Sequence, residues 1–358
     1  MTTVRSPDGV VDHSRGLRAV ALGGGHGLQV TLGALRRLTD DVTAVVTVAD
    51  DGGSSGRLRR ELDVLPPGDL RQALVALADS SSHVWGHVFQ HRFGGDGALA
   101  GHAVGNLVLA GLLEVLGDPV VALAEAGRLL GLRGRVLPMC AEPLDIEADV
   151  VGLDRDESAV RRIRGQVAVA TTPGQVQRIR LHAGLRRTAQ PRACDEAVRA
   201  VRGADVVLLG PGSWFTSVLP HLLVPELHEA LVETAAAKIV VVNLVPQPGE
   251  TSGFSPERHL DVLFEHAPRL QVDAVIADVG YVPLREPLER AARALGARLL
   301  LGRVASGERS DRHDPAALAE SLQRALERGH GQDVQEWLGG DAKDGEEKIR
   351  GDDRGGEG

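Results

Sequence analysis

The sequence is poor in aromatic residues and cysteine, and it has almost no lysine. Phe, Trp and Tyr together make up 3% of the 358 residues. The core must therefore be built from Leu, Val, Ala and Ile, which suits helices packed closely on a sheet. It also leaves no platform of rings on which single-stranded nucleic acid would stack. The only cysteines, Cys140 and Cys194, lie far apart, with no C-x-x-C and no cysteine–histidine cluster at zinc spacing. This argues against a disulfide framework and suggests reduced, buried thiols in the cytoplasm. Lysine occurs only at Lys238, Lys343 and Lys348, and the formal net charge is −9. Sequence-independent nucleic-acid binding needs a basic surface, which this balance does not offer. No apolar run reaches the ~18–20 residues that span a membrane. Residues 1–15 lack the apolar core of a signal peptide. A cytoplasmic protein with no membrane span and no nucleic-acid partner is expected.

Hydrophobic residues make up 43% and charged residues 25%, an ordinary globular balance. Residues 1–16 are expected to form a mobile leader. Residues 339–358, rich in Gly, Asp, Glu and Lys, are expected to form a disordered acidic tail. Residues 17–330 between them form one α/β domain in this reading. Continuous apolar runs at 17–22, 42–49, 205–209, 238–245, 272–277 and 297–301 predict strands covered on both faces, as in a parallel sheet. Helical patterns follow at 28–38, 69–78 (with Asp69 as N-cap), 102–116 and 119–130. The β-rich stretches 165–171 and 176–182, separated by Thr172-Pro173-Gly174-Gln175, predict a hairpin. The fold expected is a Rossmann-like, doubly wound, mostly parallel sheet with a small β-hairpin/helical insertion.

The clearest chemical signal is where the glycines fall. The predicted strands end in Gly23-Gly24-Gly25-His26-Gly27, in Asp50-Asp51-Gly52-Gly53-Ser54-Ser55-Gly56 and in Gly210-Pro211-Gly212-Ser213. A fourth ends near Asn243 and runs on to Gln247-Pro248-Gly249-Glu250-Thr251. Ligands of open parallel sheets bind beyond the carboxyl ends of the strands. Glycine lets backbone N–H groups approach a phosphate, and a following helix N-terminus favours the negative charge. The spacing is neither G-x-G-x-x-G nor a P-loop, so an ordinary NAD-dependent oxidoreductase is disfavoured.

Asp50 and Asp51 stand where an acid grips a ribose hydroxyl in a dinucleotide fold. The alternatives are Mg²⁺ held against phosphate oxygens and an Asp-Gly turn with helix-capping carboxylates. Arg71, after Pro66-Pro67-Gly68-Asp69-Leu70, either faces the site or does not. Asn106, in Gly101-His102-Ala103-Val104-Gly105-Asn106, either contacts a base or sugar or makes a helix-terminal contact. His83, His87 and His91 have i, i+4 spacing but no accompanying glutamate, which favours a solvated helix face over a metal site.

Together these motifs resemble the gluconeogenesis-factor family, the YvcK-like proteins within the wider CofD-like fold. The match rests on 23–27, 50–56, 66–71, 101–107, 169–172, 210–217 and 243–251, and spans roughly 17–326. The resemblance implies binding of a UDP-sugar, notably UDP-N-acetylglucosamine, and a regulatory role linking carbon metabolism to cell-envelope synthesis and cell shape. It implies regulatory proteins of envelope synthesis as partners and leaves self-association open. The CofD branch instead implies a Mg-dependent transfer of a phospholactyl group from a nucleotide diphosphate donor to a deazaflavin precursor. Arg312-His313 is the counterpart of the family's Arg-His element, where Arg312 would contact a ligand phosphate or serve a capping role. In this reading Gly24, Gly25 and Gly27 hold phosphate through backbone amides, with His26 and Gly212 among the other ligand-binding residues. Ser54, Ser55, Ser213 and Thr216 supply hydroxyls, and Asn243 offers an amide to base or sugar. Two departures stand out: Trp214-Phe215 before Thr216, and Pro246, which removes a backbone donor and a side-chain hydroxyl.

Overall fold

The computed structural model describes residues 16–79, 83–183, 190–307 and 310–327. The expected leader, apart from Gly16, and the expected acidic tail lie outside these described residues. The first half of the chain gives β1 (Ala19–Gly23), α1 (Gly25–Leu35), β2 (Val42–Val46), α2 (Gly53–Leu62) and α3 (Pro67–Leu77). Three helices follow, α4 (His83–Gln90), α5 (Val104–Leu116) and α6 (Pro119–Leu130), then β3 (Arg135–Pro138). A second group comprises β4 (Leu144–Val151), β5 (Arg161–Arg164), α7 (Gln166–Ala170) and β6 (Gln175–Ala183). The remainder alternates α8 (Asp195–Gly203), β7 (Val206–Leu209), α9 (Pro225–Glu233), β8 (Ala237–Val241), α10 (Pro256–His266), β9 (Ala274–Asp278), α11 (Arg285–Ala294), β10 (Arg298–Gly302) and α12 (Pro315–Glu327).

Seven strands form one parallel sheet in the order β10-β9-β8-β7-β1-β2-β3. Helices flank it: α1 packs on α3 and α12, while α8 packs on α9 and α10 on α11. Burial explains the runs of apolar residues. Every residue of β1, β2, β7 and β9 is buried, as strands with both faces covered must be. The chain leaves β1 toward β3, then returns to add β7 on the other side of β1. The β1/β7 junction is thus the switch point, beyond which an open α/β sheet offers a crevice.

The insertion is larger than a hairpin. It is a three-stranded antiparallel sheet, β5-β4-β6. Its central strand β4 was not anticipated, although Leu144, Ile146, Ala148 and Val150 alternate inward with period two. The expected strand 165–171 is the helix α7 instead. Both carboxylate oxygens of Asp51 accept its leading N–H groups, from Gln166 at 3.0 Å and Val167 at 2.9 Å, and this cap outweighs the β preference of the valines.

Smaller differences occur at element ends. α1 starts inside the glycine loop, at Gly25, and β2 and β8 stop at Val46 and Val241, earlier than expected. α3 begins at Pro67, as proline at the first helical position permits, so Asp69 lies in its first turn and is not its N-cap. Among the described residues, no helix is long and apolar enough to cross a membrane. Among the described residues, too, no group of three or more His, Cys, Asp or Glu is placed to hold a metal. Cys140 and Cys194 are free and buried, and burial pushes the Cys194 thiol up to about 11 and that of Cys140 higher still.

Candidate functional site

A cleft of about 320 Å³ opens at the β1/β7 switch point. Its floor is Gly24, Gly25, His26 and Gly27, and its walls include Thr47, Asp50, Asp69, Gln72, Gln166, Gly212, Ser213, Thr216, Ser217 and Gln247.

The floor is the start of α1. Gly24 is the N-cap residue and carries no capping side chain, and the first intrahelical donor is the N–H of Leu28. The N–H groups of Gly25, His26 and Gly27 are therefore left without helical acceptors at the positive end of the helix dipole. Gly25 has φ +56°, a left-handed conformation that glycine adopts without strain. Gly27 serves packing: a Cβ there would sit 2.7 Å from Gly212 Cα and closer still to the Pro211 carbonyl. The loop after β7 thus lies directly on the glycine loop after β1. Asn243 fixes this second loop. Its Oδ1 accepts the Gly212 N–H and its Nδ2 donates to the Gly212 carbonyl, each at 2.8 Å.

Among the described residues the walls carry acid, and neither lysine nor arginine lines the cleft. Asp50 Oδ1 accepts the Gly52 N–H at 3.0 Å. Burial raises the Asp50 carboxyl above the ordinary range, against the pull of the Gly52 N–H and the Ser55 hydroxyl. Asp69 lies against Gly24 and Gly25. Its carboxyl is pushed up to about 7, first by burial and then by the charge of Asp50, while the Gly25 N–H and Arg71 act in the other direction. Behind the opposite wall, Glu250 is also pushed up to about 7 by burial, and its Oε1 accepts the Ser213 hydroxyl at 2.7 Å.

The structure brings together Gly24, Gly25, His26, Gly27, Asp50, Gly212, Ser213 and Thr216 of the predicted residues. Asn243 and Ser55 stand one layer back, against Gly212 and Asp50 respectively. Five others are placed elsewhere. Asp51, next to Asp50, turns away to cap α7. Ser54, Arg71 and Asn106 belong to a buried chain between α2, α3 and α5. Arg71 Nε donates to Asn106 Oδ1 at 2.8 Å, Asn106 Nδ2 donates to Ser54 Oγ at 2.9 Å, and Ser54 Oγ meets His102 Nδ1 at 2.9 Å. Arg71 also donates to Gln90. Burial and the nearby Arg92 lower the Arg71 guanidinium to about 10. Arg312 is exposed in the loop before α12 and is not part of the cleft lining. Capping there falls to Asp314, whose Oδ1 accepts the N–H groups of Ala316 and Ala317.

Sequence reasoning missed Thr47, Asp69, Gln72, Gln166, Ser217, Gln247 and Glu250. Gln72 follows Asp69 by three residues, so the two share a helix face, a spacing visible in the sequence. Gln166 enters from the insertion, which no local pattern places beside β7.

Residues 19–299 match the family model described as 2-phospho-L-lactate transferase CofD. The protein named "Putative gluconeogenesis factor" in Mycobacterium tuberculosis (strain ATCC 25618 / H37Rv) is 60% identical over 308 residues, covering 85% of this chain and 88% of the relative. The chain belongs to the CofD family, in its gluconeogenesis-factor branch. Its Streptococcus pyogenes serotype M1 relative of the same name is 39% identical over 267 residues, covering 74% of this chain and 79% of the relative. The fold is also that of a solved protein of the UPF0052 family from Bacillus halodurans. That protein is 33% identical, with a TM-score of 0.76, and the match covers 86% of this chain and 99% of that one.

Proposed function

We propose that the cleft binds a nucleoside diphosphate sugar, UDP-N-acetylglucosamine in the first instance, together with a divalent cation. The observation that carries this reading is the start of α1 on the cleft floor at the switch point, where the His26 and Gly27 N–H groups have no helical acceptor and the Gly25 N–H is turned to Asp69. A diphosphate laid on this floor meets Asp50 and Asp69, with no arginine or lysine among the described lining residues to balance them. Both carboxylates suit Mg²⁺, a hard cation that takes one or two protein carboxylates and fills its remaining positions with phosphate oxygens and water. Asp50 and Asp69 would hold the ion, and its charge would offset the repulsion between acid and phosphate.

In this reading the protein is a cytoplasmic regulator that senses a sugar nucleotide and links carbon metabolism to envelope synthesis. Binding needs no nucleophile and would act through surfaces seen by partner proteins. One observation favours a second reading as a transferase: Asp69, at about 7, is matched to proton transfer near neutral pH. Calorimetric titration with UDP-N-acetylglucosamine, GDP, NAD and FAD, with and without Mg²⁺, separates the two. Cation-dependent binding of the UDP-sugar without turnover is expected. Product formation from a deazaflavin acceptor would replace the regulator with the transferase.

A further inference from the structure

The wall beside the glycine loop has a hydrogen-bond direction of its own. Glu250 is 2% exposed and sits behind Ser213, its Oε1 accepting the Ser213 hydroxyl at 2.7 Å. Ser213 Oγ also contacts Thr216 Oγ1, and Gln166 Nε2 reaches Thr216 Oγ1 at 3.4 Å. An amide nitrogen can only donate, an ionised carboxylate can only accept, and each hydroxyl has one proton. Above about pH 7, where Glu250 is ionised, it draws both hydroxyl protons inward: Ser213 donates to Glu250, Thr216 donates to Ser213 or to Glu250, and Gln166 donates to Thr216. Both hydroxyl protons are consumed within the chain. The N–H groups of Trp214 and Phe215 also turn toward Glu250 and steady its charge.

This has a chemical consequence for the cleft. Ser213 lines the cleft but offers it a lone pair and no proton. A phosphate oxygen, itself an acceptor, gains nothing there, whereas a sugar hydroxyl or an acetamido N–H finds an acceptor. We propose that Ser213, oriented by the buried Glu250, is a sugar-recognising position that accepts hydrogen bonds from the hydroxyl or amide N–H groups of the ligand's sugar, leaving the phosphates to the glycine loop. The inference rests on the cleft being a sugar-nucleotide site. Glu250 is a positioning residue within it, acting through Ser213.

The test compares UDP with UDP-N-acetylglucosamine by calorimetry in the full chain, for the wild type and for Ser213→Ala, Glu250→Gln and Glu250→Leu. Loss of one hydrogen bond corresponds to a weakening of about 10-fold. Ser213→Ala should weaken the sugar nucleotide by that amount and leave UDP unchanged. Glu250→Leu frees the Ser213 proton, so sugar affinity should fall while UDP binds as well or better. Glu250→Gln keeps an acceptor oxygen and should retain most of the sugar preference. If Glu250→Leu fails to fold, Ser213→Ala, a smaller change at a half-buried residue, still decides the matter. Equal weakening of both nucleotides by Ser213→Ala would overturn the proposal in favour of a phosphate contact, and no effect on either would remove Ser213 from recognition. A wild type that binds both nucleotides equally defeats this proposal alone. A wild type that binds neither defeats the sugar-nucleotide reading as well.

Discussion

The carboxylate of Asp69 occupies the space that any side chain on Gly24 would need. A Cβ on Gly24 would lie 2.7 Å from Thr47 Cγ2 and closer still to Asp69 Oδ2. Gly24 has φ −159°, an extended conformation open to every residue, so the requirement for glycine here is purely steric. Gly25 is the reverse case: φ is +56°, and the nearest neighbour of a Cβ, Asp69 Oδ1, is 4.0 Å away.

These neighbours predict different failures. Gly24→Ala should cost about 1–3 kcal/mol of stability through overpacking, seen as a lower melting temperature, and should displace Asp69. Gly25→Val should instead block the phosphate floor and, by forcing a β-branched residue to φ +56°, also cost about 1–3 kcal/mol of stability; measured well below the unfolding transition, nucleotide affinity should fall by roughly 100-fold. Unchanged nucleotide affinity in Gly25→Val would contradict the cradle.

On the proposed reading, the acidic pair should make binding depend on a cation. Titration of UDP-N-acetylglucosamine into protein stripped with EDTA should show an affinity reduced by about 10-fold or more, and Mg²⁺ should restore it. In Asp69→Asn the difference between the two conditions should shrink, because one of the two charges that demand the ion is gone. A full-strength interaction in EDTA would rule out the cation.

Asp69 also imposes a pH dependence on the empty protein. Its carboxyl is held near 7 in the fold, against ~3.9 in an unfolded chain. Between about 4 and 7 the folded state therefore binds a proton that the unfolded state does not, and stability falls as pH rises through that window. Glu250 acts in the same sense. His221 and His313, lowered to about 4 by burial, act in the opposite sense below ~6.5, so the informative quantity is the difference between variant and wild type. Asp69→Asn should flatten the decline in melting temperature between pH 5 and pH 7. Parallel curves for the two proteins would mean that Asp69 does not titrate there.

Asn106 should behave as a structural residue. It is 1% exposed and bridges Arg71 and Ser54. Asn106→Ala strands the buried Arg71 Nε and should cost about 1–3 kcal/mol in denaturant unfolding. Nucleotide affinity measured well below the transition should not change. Loss of affinity in a variant of normal stability would return Asn106 to the site.

The parallel sheet was legible in the sequence because strands covered on both faces need unbroken apolar runs, and the glycine loops because few residues tolerate such close approach. The insertion was harder. The valines of Gln166–Ala170 suggest a strand, yet the segment is helical because Asp51, more than a hundred residues earlier, supplies its cap. β4 did carry a period-two signal, but acids between its apolar positions gave it the look of a polar stretch. In the site, residues whose role is backbone geometry, such as Gly24 and Gly25, announced themselves. Asp69 and Glu250 did not, because a carboxylate gains its meaning from what the fold stacks on it. Ser54, Arg71 and Asn106 carry the same polar chemistry as site residues, and only the packing of α2, α3 and α5 turns that chemistry inward.

Asp50 and Asp51 are consecutive and face opposite ways. The first borders the cleft, and the second holds the leading turn of α7. One short backbone segment thus joins the pocket to the antiparallel sheet like the pivot of a lever. The pocket wall and the fastening of the insertion are therefore one piece of covalent backbone.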